Sequence, residues 1–198
     1  MYIYKNNEKG SSLLEVLAVL SVVSVLGIST LKLISNGYNT FKQSMAESEI
    51  KDLQKSITGV YNYSGNYNEL FDNDVYKTLC ETDKSAPSQM CMKNGSSYKL
   101  RHKLSGDVFI EKVEDLNAED INSYTIKFDN LSKKNCVSFA QLNWLDRKKI
   151  SIYRLDINDT DVAYFPKKED KGFPIEISEI FKNCNKEDNK NSITWYFY

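Results

Sequence analysis

The chain has 198 residues, which suits one domain plus a membrane segment. Lysine and arginine total 26 against 27 acidic residues, a formal charge of -1, and this balance lacks the basic excess of a general nucleic-acid binder. Aromatic residues make up 12% of the chain, with 13 tyrosines, enough to build a core outside the membrane segment.

Residues 1–10 are a short stretch ending in Lys9-Gly10, and an apolar run follows it. Within Ser11-Ser12-Leu13-Leu14-Glu15-Val16-Leu17 a lone carboxylate, Glu15, stands at the start of that run, and no further charge appears until Lys32. A secretory signal places its cut site after the apolar core, whereas here Gly10 precedes it. Val16 to Leu31 is at the short end for a span; Leu13, Leu14, Leu33 and Ile34 extend it toward the roughly 17–25 residues required. A carboxylate at bilayer depth costs roughly 2.5–3.5 kcal/mol, so Glu15 needs a cation. A cut after Gly10 would create one, the amine of Ser11.

The order of basic leader, Gly10, small residue, Leu13-Leu14-Glu15 and apolar helix resembles the class III signal of type IV pilins and pseudopilins. The resemblance implies cleavage between Gly10 and Ser11 by a prepilin peptidase, N-methylation of Ser11, and a subunit-assembly role for Glu15, the fifth mature residue. Most members begin their mature chain with Phe or Met, and Ser11 is neither. The resemblance further implies a type IV pilin fold of the α+β class, a long N-terminal helix packed on an antiparallel sheet. It divides the chain into a leader at 1–10, a transmembrane and assembly helix at 11–35, an amphipathic helical half at 36–61 and a head at 62–198.

Beyond Lys32 the apolar positions Ile34, Tyr38, Phe41, Met45, Ile50, Leu53, Ile57 and Val60 recur in steps of three and four, with one phase slip between Met45 and Ile50. They predict one helix from Ser12 to Tyr61, about 75 Å long at 1.5 Å per residue, with charges such as Glu47, Glu49 and Lys51 mostly on its other face. Asn62 to Asn73 is rich in Gly and Asn and reads as a loop. Asp74 to Cys80 reads as a short helix and Glu81 to Ser97 as a polar segment. Tyr98 to Leu104 and Val108 to Val113 flank Ser105-Gly106-Asp107 as a hairpin. Ser123 to Phe128 alternates as a strand, and Ser132 is the expected N-cap of a helix ending near Asp146. Lys149 to Asp156 and Val162 to Phe165 read as strands, Ser178 as the cap of a short helix through Lys182, and Ser192 to Tyr198 as the closing strand. In Trp195-Tyr196-Phe197-Tyr198 alternate residues are expected to face inward. This order independently gives an α+β domain with an antiparallel sheet on the helix.

Cys80, Cys91, Cys136 and Cys184 allow three pairings, and sequence alone does not choose among them. Cys80 and Cys91 enclose a polar loop that suits a local staple, and export would place all four where disulfides persist. The surroundings of Cys136 and Cys184 resemble the disulfide-bounded C-terminal region of type IVb pilins, which implies the pairing Cys136–Cys184 around region 136–184. The ten-residue leader is short for that branch.

Neither metal nor cofactor is expected, because there is no Cys-x-x-Cys and no Gly-rich phosphate loop. His102, the sole histidine, lies in an alternating basic strand and reads as a solvated surface residue. Asp156 to Asp161 reads as a turn before a cation site, and Arg147-Lys148-Lys149 as turn charges. No enzyme is therefore expected, and the resemblance to type IV pilins implies a structural filament subunit serving adhesion, motility, DNA transfer or secretion. Its expected partners are other copies of itself, the prepilin peptidase and an inner-membrane assembly platform, with no nucleic acid. Its expected place is the bacterial inner membrane with the head in the periplasm, then a surface pilus or periplasmic pseudopilus. The alternative is a minor pseudopilin of a type II secretion or DNA-uptake machine.

Gly10→Val puts a branched side chain at the scissile position and should leave an uncleaved precursor in the membrane fraction. Intact-mass analysis of the extracted chain checks this: the variant should retain Met1 while the wild type begins at Ser11. Equal masses at the N-terminus of both would contradict it.

Overall fold

No proline occurs before Pro87, so the long first helix meets nothing that must break it. The computed structural model describes residues 13–64, 71, 74–81, 89–113, 123–142, 144, 152–166 and 171–198; within the first helix the side chains at 13–14, 25–36, 38–39 and 61–64 lie outside that description. The chain divides into two units, Met1–Phe41 and Lys42–Tyr198. Helix α1, Leu13–Ser64, contributes to both and runs three residues past the expected end. Residues 62–64, expected as loop, close that helix.

In the second unit α1 buries a stripe of Ala46, Glu49, Ile50, Leu53, Gln54 and Ile57, of which Ala46, Ile50, Leu53 and Ile57 are fully buried. Each large side chain so buried contributes about 1.5–3 kcal/mol. The expected face is corrected at Phe41, which is 59% exposed, and Ile34 and Tyr38 lie outside the described side chains. The phase slip marks where the buried stripe begins.

Helix α2, Val75–Glu81, follows, with Val75 and Leu79 turned inward. Three strands come next: β1 (Cys91–Asn94), β2 (Ser97–Arg101) and β3 (Asp107–Lys112). Strand β1 corrects the reading of this stretch as polar coil. It lacks β-branched residues, but Gly95 at φ 63° supplies the turn that pairs it with β2. Strand β4, Tyr124–Leu131, extends three residues beyond its expected end. Helix α3, Lys133–Ala140, starts at Ser132, whose side chain accepts from the Asn135 N–H, as expected for an N-cap. It stops at Ala140, well before Asp146.

Strands β5 (Ile152–Ile157) and β6 (Thr160–Tyr164) are joined by a tight turn in which Asn158 and Asp159 both have positive φ. Helix α4, Ile177–Asn183, has Glu176 and not Ser178 at its N-cap position, and strand β7, Asn191–Phe197, closes the domain.

The seven strands lie in the order β1-β2-β3-β4-β7-β5-β6, every neighbouring pair antiparallel. This is the α+β architecture that the element order implied. The C-terminal strand β7 sits between β4 and β5, and its register builds rows across three strands. Tyr124, Phe197 and Ile152 form one row, Ile126, Trp195 and Leu155 the next, and Phe128, Ile193 and Ile157 the third. All nine belong to the core that also contains Ile50, Leu53 and Ile57 of α1. Trp195 is the hub: the rings of Phe128, Phe139 and Trp144 meet it edge-on at 5.3, 5.9 and 5.3 Å. Tyr196 is half-buried and Tyr198 exposed, the expected alternation. On the opposite sheet face Arg154 donates two hydrogen bonds to Asp156, at 2.7 and 2.6 Å, and its guanidinium lies over the Tyr196 ring.

Two disulfides pin this fold. Cys80–Cys91 ties α2 to the start of β1, and Cys136–Cys184 ties α3 to the end of α4. The bridged residues are 11 and 48 positions apart. In the chain-entropy model such loops are worth about 3 and about 4 kcal/mol. The paired change Cys136→Ser/Cys184→Ser should therefore lower unfolding free energy more than Cys80→Ser/Cys91→Ser, as measured by denaturant titration of the detergent-extracted chain. A larger loss from the short loop would contradict this ranking.

Candidate assembly surface

Among the described side chains of the first unit, residues 16–23 of α1 expose an apolar surface. Val16, Leu17, Val19, Leu20, Val22 and Val23 of α1 are each 44–59% exposed. The polar groups among them are turned in on the helix: Ser21 Oγ donates to the Ala18 carbonyl and Ser24 Oγ to the Leu20 carbonyl, both at 2.7 Å. Hydroxyls satisfied this way need no water, so the surface suits apolar surroundings. Glu15 is the exception. It is exposed in the first turn of α1, where the helix dipole favours a carboxylate. Gly10 and Ser11 lie outside the described residues. Among the described residues no helix is long and apolar enough to cross a membrane.

The second unit has its own polar constellation where α1 meets the β2–β3 turn. Glu49, 5% exposed, accepts a hydrogen bond from the Lys103 backbone N–H at 2.9 Å. Sequence reasoning grouped Glu49 with solvated helix charges. The signal that could have found it was the phase slip, which rotates position 49 onto the buried stripe. Burial raises the Glu49 carboxyl to about 7, against the lowering effect of the Lys103 N–H and charge; the nearby Asp52 raises it further.

The preceding residue, His102, corrects the expectation of a solvated side chain. It is 2% exposed and stacks on Phe128 with ring centroids 4.6 Å apart. Its Nδ1 accepts from the Leu104 N–H, so Nε2 carries the proton and donates to the Asp129 carbonyl at 2.8 Å. Both ring nitrogens are thus occupied by the backbone, an arrangement that holds a turn and leaves no lone pair for general-base work. Gly106 completes the seat, since a Cβ there would collide with the Asp129 carbonyl and His102 Nε2. Burial lowers the His102 ring to about 4, opposed by its bond to Asp129 and by Asp107.

The disulfide-bounded region has a second organiser that sequence reasoning missed. Asn191 is fully buried; its amide donates to the carbonyls of Leu131 and Lys186, and its oxygen accepts from Asn158 and the Lys186 N–H. Asn158 also donates to the Asn183 carbonyl and accepts from the Ser192 N–H. Two asparagines thereby lock the β5–β6 turn, the end of α4 and the start of β7 together. The Asp156–Asp161 segment is accordingly a turn, with Asp156 paired to Arg154, Asp159 to Lys127 and Asp161 to Lys171. Beside it a cavity of about 390 Å³ is lined by Val162, Phe173, Pro174, Ile175, Glu176 and Glu179 among others. Arg147, Lys148 and Lys149 lie outside the described residues.

A protein-family model described as PilS N terminal matches residues 40–196. No curated protein matches the sequence. Among solved structures, the crystal structure of a type IV b pilin from Salmonella typhi is similar at 12% identity, over 75% of this chain and 97% of that one, with a TM-score of 0.45.

Glu49 and His102 give the head opposing pH dependences. Glu49 is raised from 4.5 to about 7, so its folded form keeps a proton that the unfolded chain has released. Its stabilising contribution is complete below pH 4.5 and lost as pH rises through 7. His102 is lowered from 6.5 to about 4, so its contribution is complete above pH 6.5 and lost as pH falls toward 4. Between these limits the two slopes offset each other. Glu49→Gln keeps the acceptor for Lys103 and removes one slope. It should raise unfolding free energy at pH 8 by about 1–3 kcal/mol, with the gain gone by pH 4. Denaturant melts at the two pH values check this; an equal effect at both would contradict it.

Proposed function

The chain belongs to the PilS N terminal family of type IV pilins, and on that premise we propose that it is a structural subunit of a type IV pilus-like filament, polymerised through its N-terminal helix. The observation that carries this reading is the surface of α1: a row of exposed Val and Leu side chains, serines bonded to their own helix, and one carboxylate at Glu15. Water is a poor solvent for such a surface. Lipid suits it before assembly, and the same segment of neighbouring copies suits it afterwards.

In this reading a prepilin peptidase removes residues 1–10 and methylates Ser11. The apolar segment 11–35 then holds the subunit in the inner membrane with its head in the periplasm. An assembly platform draws subunits from there into a filament at the cell surface or in the periplasm. The support is the sequence itself, in which Val25 to Leu31 continues the apolar character of Val16 to Val23.

Glu15 supplies selectivity. A buried charge without a partner is strongly penalised, while a paired and hydrogen-bonded one is tolerated. An incoming subunit whose Ser11 amine meets the Glu15 carboxylate of a neighbour is favoured over one that leaves both open. The apolar helix bundle, otherwise free to slide, gains one axial register.

Glu15→Ala should be inserted and processed normally, because the peptidase reads Gly10, but should yield few filaments when it is the only subunit present. Glu15→Gln keeps the shape, loses the charge and should be intermediate at best. Sheared filament protein per cell is the readout. Normal filament numbers from Glu15→Ala would reject the charge pair and favour a non-polymerising or tip role, as in a minor pseudopilin.

A further inference from the structure

Strand order puts β1 and β6 at opposite edges of the sheet, six inter-strand spacings or about 29 Å apart. The two edges carry complementary chemistry. From Cys91 to Arg101 there are three cations, Lys93, Lys99 and Arg101, and no acidic residue. Lys93 lies over the Tyr98 ring and Arg101 is 3.7 Å from Asp107. Lys99 is exposed and has no partner among the described residues. Directly across the strand pair stands Met92, 46% exposed. This edge therefore presents a cation on an aliphatic stem beside an apolar side chain.

The opposite edge presents the counterpart. The cavity beside β6 and α4 has an apolar floor of Val162, Phe173, Pro174 and Ile175, and its charged lining is Lys171, Glu176 and Glu179. Two of those three are engaged within the chain: Lys171 with Asp161 at 2.6 Å, and Glu179 with Asn183 at 2.8 Å. Glu176 is not. It occupies the N-cap position of α4 without making a capping hydrogen bond and has no partner among the described residues. On the same helix Ile177 and Phe181, four residues apart, are 62% and 51% exposed. An uncommitted carboxylate over an apolar floor, flanked by bare apolar side chains, fits a lysine with an apolar neighbour.

We propose that Lys99 and Met92 of one subunit dock at this cavity of the next, Lys99 on Glu176 and Met92 against Ile177 and Phe181. The inference rests on the filament reading above. Because donor and acceptor lie on opposite edges of one rigid sheet, the contact is heterologous: each subunit offers one edge to a neighbour and receives another neighbour at the far edge. Such contacts give an open helical array when the rotation between neighbours does not close into a ring, which is the case the filament reading requires. An exposed ion pair by itself adds little affinity. The pair selects orientation, and the apolar contact around it supplies the attraction.

The test uses Lys99→Glu, Glu176→Lys and the two combined, each as the sole copy of the subunit in cells. Each reversal alone should lower sheared filament protein at least fivefold, with subunit amounts in the membrane and non-reducing gel mobility unchanged. The double reversal should recover to within about twofold of the wild type. In wild-type filaments a zero-length carbodiimide cross-link should join the peptides containing Lys99 and Glu176. Normal filaments from either single reversal would overturn the contact and leave the cavity to solvent or to a foreign partner. Loss without recovery in the double reversal would overturn the pairing as well. Absence of filaments from the wild type itself would bring down the filament reading, and this contact with it.

Discussion

Ile50, Leu53 and Ile57 are fully buried in the core of the head, and they sit on the same helix that begins with Glu15. The apolar face of the sheet, built from Ile126, Trp195, Leu155 and their neighbours, shares one hydrophobic cluster with that stripe. Without the stripe this face would lie open to water, and the antiparallel sheet would lose the layer it packs against. The head thus depends on the second half of α1, while the first half carries the exposed apolar surface. Both stretches belong to one helix, Leu13–Ser64.

The remaining constraints keep the head from yielding at its far side. Strand β7 lies in the middle of the sheet, and its Ile193, Trp195 and Phe197 are fully buried. The segment between β4 and β7 is closed at its base by Cys136–Cys184 and at its turn by the Asn158–Asn191 network. Those two devices let the β6–α4 edge carry exposed apolar side chains and an uncommitted carboxylate without having to fold around them. Stability at this edge comes from covalent and buried polar links.

Much of this was legible in the residues. The three-and-four spacing from Ile50 to Ile57, the alternation of Ser123 to Phe128 and the Ser132 cap each rest on a local rule, and each identifies its element, although α1 and β4 end three residues later than expected and the helix after Ser132 ends at Ala140. What was not legible depended on neighbours distant in sequence. Strand β1 consists of Cys-Met-Lys-Asn, with no intrinsic strand preference, and exists because β2 and the Cys80 bridge hold it. His102 sits in a basic, alternating stretch that reads as surface, and Phe128 and Asp129, from another strand, bury it. Glu49 reads as a solvated helix charge, and only the break in periodicity hinted that it faces the core. Glu15 lay at the other extreme, since a single carboxylate in an apolar run is conspicuous without any structure. Its proposed partner at Ser11, beyond the described residues, is drawn from the sequence resemblance and the energetics of buried charge.

The central claim is that this chain is a filament subunit built on its N-terminal helix. Mass spectrometry of surface filaments sheared from cells tests it most directly. The account predicts that this chain is a principal component of the sheared material, with a mass that begins at Ser11, carries one methyl group and retains both disulfides. Finding the chain only in the membrane or soluble fraction, with Met1 still in place and no trace in filaments, would contradict it.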